Sequence, residues 1–161
     1  NLNNELAKIE NYTRNKKKIQ LDDIVKLTNL ADNYSVSELV DCCLSKNKKK
    51  TIHILNENNY SLEDCIIIIR TFLVKSKRLL VLTKNFDKIK NVNSVILQYK
   101  PPIFWKDKEL IKIQIQSWSY LKVESLIYKI NEIELLIKKN SNSAVNILSD
   151  FILEQSDKAN N

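Results

Sequence analysis

Not one glycine occurs in 161 residues, and proline occurs only twice. A β-rich chain of this length needs tight turns at positive φ, which glycine supplies with no Cβ penalty. Its absence predicts an all-α fold: a bundle of helices joined by polar loops, with Asn at the left-handed positions. With 43% hydrophobic and 7% aromatic residues, such helices have enough apolar surface for a core. The same absence excludes a phosphate-cradling P-loop and a glycine-rich dinucleotide turn, so no nucleotide or other cofactor is expected.

The formal net charge is +7, but the basic residues are lopsided, with Arg14, Arg70 and Arg78 the only arginines among 26 Lys and Arg. Lys, Asn and Ile are enriched together, the skew that A/T-rich codons produce. Bidentate base readout favours Arg, so the charge supports at most salt-sensitive, sequence-blind attraction to DNA phosphates. Lys16, Lys17 and Lys18, with Lys48, Lys49 and Lys50, are the candidate phosphate contacts.

Three cysteines, Cys42, Cys43 and Cys65, form no disulfide framework, which points to a reducing, cytoplasmic compartment. The longest apolar run, Cys65 to Ile69, is far too short to span a membrane, and no membrane partner is expected. The chain has no Met, even at position 1, and the expectation is that it begins inside a longer protein.

Apolar periodicity predicts a helix over about 2–14, a second short helix that starts at Ile19 to Asp23 with Ile24, Leu27 and Leu30 (or Val25) as its apolar face, then one opened by the capping box Ser35-Val36-Ser37-Glu38 with Val36, Leu39, Val40 and Cys43 inward. A following helix carries Ile52 and Leu55, with His53 on another face. Ser61 and Asp64 cap a long helix over about 62–84 that buries Ile66, Ile69, Leu73 and Leu80. A looser segment holds Val92, Val95, Ile96 and Tyr99. Further helices carry Leu110, Ile113 and Ile115 or Gln114; then Leu121, Ile127, Ile130, Ile133 and Ile137 over about 120–139; then Ala144, Ile147, Leu148, Phe151 and Ile152. The tail from Gln155 is expected to fray.

Chemistry is sparsely represented. Cys42, Cys43, Cys65 and His53 are the soft ligands available, but adjacent cysteines on a helix point about 100° apart and cannot easily share an ion. A Cys–His nucleophile needs an orienting third group and an oxyanion hole, and no pattern supplies them. Neither catalytic nor metal-ligating residues are assigned, and the chain is not expected to be an enzyme.

Both prolines fall in Lys100-Pro101-Pro102-Ile103-Phe104-Trp105-Lys106. The residue before a proline avoids helical geometry, so this turn separates two helices. Trp105 and Trp118 flank the second of them, each either a core anchor or an interface hot spot. Pro101, Pro102, Phe104, Trp105 and Trp118 are the candidate structural or interface anchors.

This turn, leading to Gln116-Ser117-Trp118-Ser119, resembles the collar domain in the delta subunit of the bacterial DNA polymerase III clamp loader. Ser37-Glu38-Leu39-Val40-Asp41-Cys42-Cys43-Leu44, Lys50-Thr51-Ile52-His53-Ile54-Leu55, Ile69-Arg70-Thr71-Phe72, and Leu126 with Ile133-Glu134 and Lys138 are similar to successive helices of that domain. Leu6 to Leu30 resembles the end of the preceding AAA+ lid domain. The loops depart from the family in carrying Asn, Ser and Lys where Gly or Ala is usual. The resemblance implies a lid remnant over 1–33 and a collar domain over 34–161, in a subunit that does not hydrolyse ATP. It implies partners in the delta-prime and tau or gamma subunits. The sliding clamp would be reached only through an N-terminal domain that this chain lacks. A basic helical module that binds nucleic acid backbone directly is the alternative reading.

Overall fold

A computed structural model describes residues 35–157. The expected helix over 2–14, the short helix starting at Ile19 to Asp23, and Lys16 to Lys18 lie outside the described residues. Two compact units divide the chain, Asn1–Ser37 and Glu38–Asn161. The described part of the second is all-helical.

The helices among the described residues are α1 over 35–44, α2 Lys48–Glu57, α3 Leu62–Ile89, α4 Val92–Gln98, α5 Lys108–Ser117, α6 Tyr120–Lys139 and α7 Ala144–Ser156. One 3₁₀ turn, Trp105–Asp107, precedes α5 and another, Ser141–Ser143, precedes α7. No strand occurs among the described residues.

Short polar residues set the helix boundaries. The Ser61 hydroxyl accepts from Asp64 N–H at 3.2 Å while the Asp64 carboxylate accepts from Ser61 N–H at 2.8 Å, the reciprocal box expected there. Asn47, Asn91 and Ser119 cap α2, α4 and α6 through their side-chain oxygens. Ser35 is already helical, so it does not stand outside α1 as its cap.

The left-handed positions depart from expectation. Among the described residues they are filled by Lys46 (φ 59°) and Lys90 (φ 57°), not by Asn. α1 ends in a Schellman arrangement, in which Asn47 N–H donates to Cys42 O at 2.9 Å and Lys46 N–H to Cys43 O at 3.0 Å. Asn47 therefore closes one helix and caps the next. A residue with a Cβ at Lys46 costs about 1 kcal/mol relative to glycine, so its side chain must offset that cost.

α3 is the spine of the unit. It packs most extensively along α6 and also meets α4, α5 and α7. Phe72 on α3 and Phe151 on α7 meet edge-on at 5.3 Å between ring centroids. Cys65, Ile68, Ile69, Phe72, Leu79 and Leu82 are buried, whereas the expected Ile66, Leu73 and Leu80 are only half-buried. The helical period was legible, but the face is rotated because neighbours crowd α3 from several sides. α3 also continues to Ile89, past the expected end.

Similar shifts occur elsewhere. α2 buries Thr51 and Ile54 rather than Ile52 and Leu55. α5 buries Gln114 and Ile115 as expected, together with Ile111, but exposes Ile113; α6 buries Ile130 and Ile137 as expected, together with Val123 and Leu126, but exposes Leu121. In α1 and α7 the expected faces are buried, save half-buried Ile147. α7 runs through Gln155 to a buried Ser156, so these two residues of the expected frayed tail are helical, and residues 158–161 lie outside the described residues.

Candidate functional site

The two candidate tryptophans lie at opposite ends of α5 and have opposite environments. A helix of that length spans about 15 Å, and nothing brings the two rings together.

Trp118 follows α5 and is 7% exposed. Its Nε1–H donates to Leu44 O at 2.7 Å, one of the carbonyls left open where α1 ends. On its face lies Lys46 Nζ, 3.7 Å from the ring centroid, which also donates to Gln155 O on α7 at 2.6 Å. One indole and one ammonium thus tie together the ends of α1, α5 and α7. The Lys46 contacts offset its backbone cost: a cation on an indole contributes about 0.5–2 kcal/mol, and a charged donor to a carbonyl a similar amount. Burial pushes the Lys46 ammonium below its ordinary pKa. Beside it lies an open groove of about 450 Å³, lined by Trp118, Leu121, Lys122, Lys129, Glu154 and Asp157.

A second polar node joins α1, α3 and α5. The Asp41 carboxylate accepts from Lys75 Nζ at 2.5 Å and from Gln114 Nε2 at 3.4 Å. Lys75 is lowered by burial, and the hydrogen bond to Asp41 opposes that shift. Sequence reasoning found neither Lys46 nor this node. An interior Gln in an otherwise apolar helix face was the one available signal.

The Pro-Pro turn presents its aromatic residues outward. The Lys100–Pro101 peptide is cis, Pro101 and Pro102 are exposed, and Ile103 turns in at 8% exposure. Phe104 and Trp105 are 57% and 68% exposed, with ring centroids 5.8 Å apart. Lys106 Nζ lies 5.3 Å from the Trp105 centroid. The core-anchor reading therefore fits Trp118 and fails for Trp105.

The remaining candidates are dispersed. Lys48 pairs with Asp157 and Lys50 with Glu38, both at 2.6 Å. Carboxylates thus occupy two of the three described lysines among the six proposed for phosphate, while Lys49 is exposed. His53 is exposed beside Glu57 at 3.6 Å, and the three thiols are buried. Burial raises all three thiol pKa values, Cys43 to about 12, and its thiol donates to Ile152 O at 3.3 Å. Such thiols are poor nucleophiles and poor ligands. Among the described residues, no group of three His, Cys, Asp or Glu is placed to hold a metal, and no helix is long and apolar enough to cross a membrane.

No protein-family model, curated protein or solved structure matches the chain.

Proposed function

We propose that the helical unit is an assembly domain that makes subunit contacts and performs no chemistry of its own. The observation that carries this reading is the exposed Phe104–Trp105 pair on the Pro-Pro turn. Two adjacent aromatics in water are an expense in a monomer, and aromatics of this kind are the usual anchors of interfaces. The buried tie around Trp118 holds the far end of α5 and supports the turn that displays them.

The finer form of the proposal follows the resemblance. The unit serves as the collar of a clamp-loader delta subunit, docking on delta-prime and on tau or gamma during sliding-clamp loading. Co-purification of the full chain with those subunits tests it. The expected result is capture of the loader subunits, weakened at least about tenfold by Phe104→Ala with Trp105→Ala, with the thermal melt of the double variant unchanged. Capture of the clamp without the loader ATPases would sink the collar assignment.

A further inference from the structure

The solvent face of α3 carries a pattern that neither the core nor the Pro-Pro turn uses. Between Asp64 and Asp87 the chain has no acidic residue, but it has Arg70, Lys75, Lys77, Arg78 and Lys84. The run Cys65 to Ile69 is apolar throughout, so a helix must turn part of it away from the core, and Ile67 is that part.

Ile67, Val74 and Val81 follow at seven-residue spacing and are 46%, 68% and 47% exposed. Three residues after each comes a cation, Arg70, Lys77 and Lys84, all exposed, and Lys88 continues the row. At 100° per residue this stripe lies opposite buried Ile68, Phe72 and Leu79. Arg70 contacts Glu134 at 3.4 Å. Lys77, Lys84 and Lys88 have no ion pair among the described residues. Single exposed apolar residues are ordinary. Glu63 stands one heptad before Arg70, but from Ile67 onward the β-branched row is interleaved with cations, an a/d pattern with its second position made basic. The exposed row on α6, Leu121, Tyr128 and Leu135, is flanked by charges of both signs, including Glu124, Glu132 and Lys139.

We infer that the outer face of α3 docks an acidic amphipathic helix, with apolar residues at seven-residue spacing and Asp or Glu beside them. The apolar anchors are about 10 Å apart, a repeat that a partner helix matches once every two turns. The cations require carboxylates opposite them; Arg70 has Glu134, whereas Lys77, Lys84 and Lys88 have no ion pair among the described residues, which leaves most of that demand unmet within the unit. Nucleic acid would satisfy the cations but leave Ile67, Val74 and Val81 without apolar contact. A membrane surface would favour aromatic residues at the stripe, which has none. The inference does not rest on the collar proposal, since the Pro-Pro turn lies outside the stripe.

The test uses the full chain and a fluorescent synthetic peptide with Leu at seven-residue spacing and Glu between. Anisotropy should show binding that falls with salt, and the same peptide with Lys in place of Glu should bind at least about tenfold more weakly. Val74→Glu and the pair Lys77→Glu with Lys84→Glu should each weaken the acidic peptide about tenfold or more. Circular dichroism melts should be unchanged, because these side chains face water; if Val74→Glu unfolds the chain, the lysine pair decides. Failure of the acidic peptide to bind, equal binding of both peptides, or indifference to the substitutions overturns the inference. So does tighter binding of phosphatidylserine vesicles or duplex DNA through the same residues. A sedimentation dimer lost in Val74→Glu would instead assign the stripe to a second copy of this chain.

Discussion

Trp118 and Trp105 are the same residue type at the two ends of one helix, and they behave as opposites. At the Trp118 end an indole N–H meets a carbonyl left open by the end of α1, and a lysine covers the ring face. At the Trp105 end the indole stands 68% exposed beside Phe104. A large aromatic is buried where its polar atom finds a partner. Trp118 has that partner because a Schellman turn brings Leu44 O within its reach.

The sharpest way to break this comparison is truncation at both ends. Trp118→Ala should lower unfolding stability by about 3–5 kcal/mol in denaturant melts. Trp105→Ala should stay within about 0.5 kcal/mol of the parent chain. Comparable losses at both positions would show that the turn is structural after all. Trp118→Phe keeps most of the apolar volume but leaves Leu44 O without its donor, and should cost about 1–3 kcal/mol. A neutral result would mean that packing alone holds the ring.

Lys46→Gly separates backbone from side chain. It gains about 1 kcal/mol at the left-handed position and loses both the indole and Gln155 contacts, for an expected net loss of about 1 kcal/mol. The pH dependence of this gap has a definite sign. Because burial holds the Lys46 pKa below its ordinary 10.5, protonation costs the folded state. The stability linked to Lys46 is fully present above 10.5 and is lost as pH falls through the lowered value. The parent chain should therefore gain on Lys46→Gly as pH rises through that window, read from paired melts. A shrinking gap would mean that attraction to the indole outweighs desolvation.

The smallest effect belongs to Cys43, packed in α1 near this tie. With its thiol pushed up to about 12, native protein at mild alkaline pH should leave Cys43 unmodified by a thiol-specific disulfide reagent, and unfolding should expose it. Fast modification in the native state would show that the Trp118 end opens readily.

Much of the architecture was legible in residues that act locally. The Ser61–Asp64 box, the Pro-Pro break and the apolar rows of α1 and α7 depend on spacing within a single helix. The face of α2 differs by part of a turn, and those of α3, α5 and α6 match at Ile69, Ile115, Ile130 and Ile137 but differ at other positions, because several positions in each helix are apolar and only the neighbours decide which are covered. Ile113 and Leu121 are exposed for that reason, although their sequences resemble those of buried positions. The site was less legible than the fold. The Pro-Pro-aromatic turn stood out at once, but Lys46 looked like one lysine among many in a skewed composition. Its role rests on an indole and a carbonyl distant in sequence, Trp118 and Gln155.

The sequence by itself determined that the unit is helical, since a chain without glycine has few routes to tight turns. It also determined where several helices begin, since side-chain caps act over three residues. Only the tertiary structure decided which tryptophan is core and which is surface, and which lysines take the left-handed turns. Those outcomes depend on partners far apart in the chain, and helical periodicity carries no information about them.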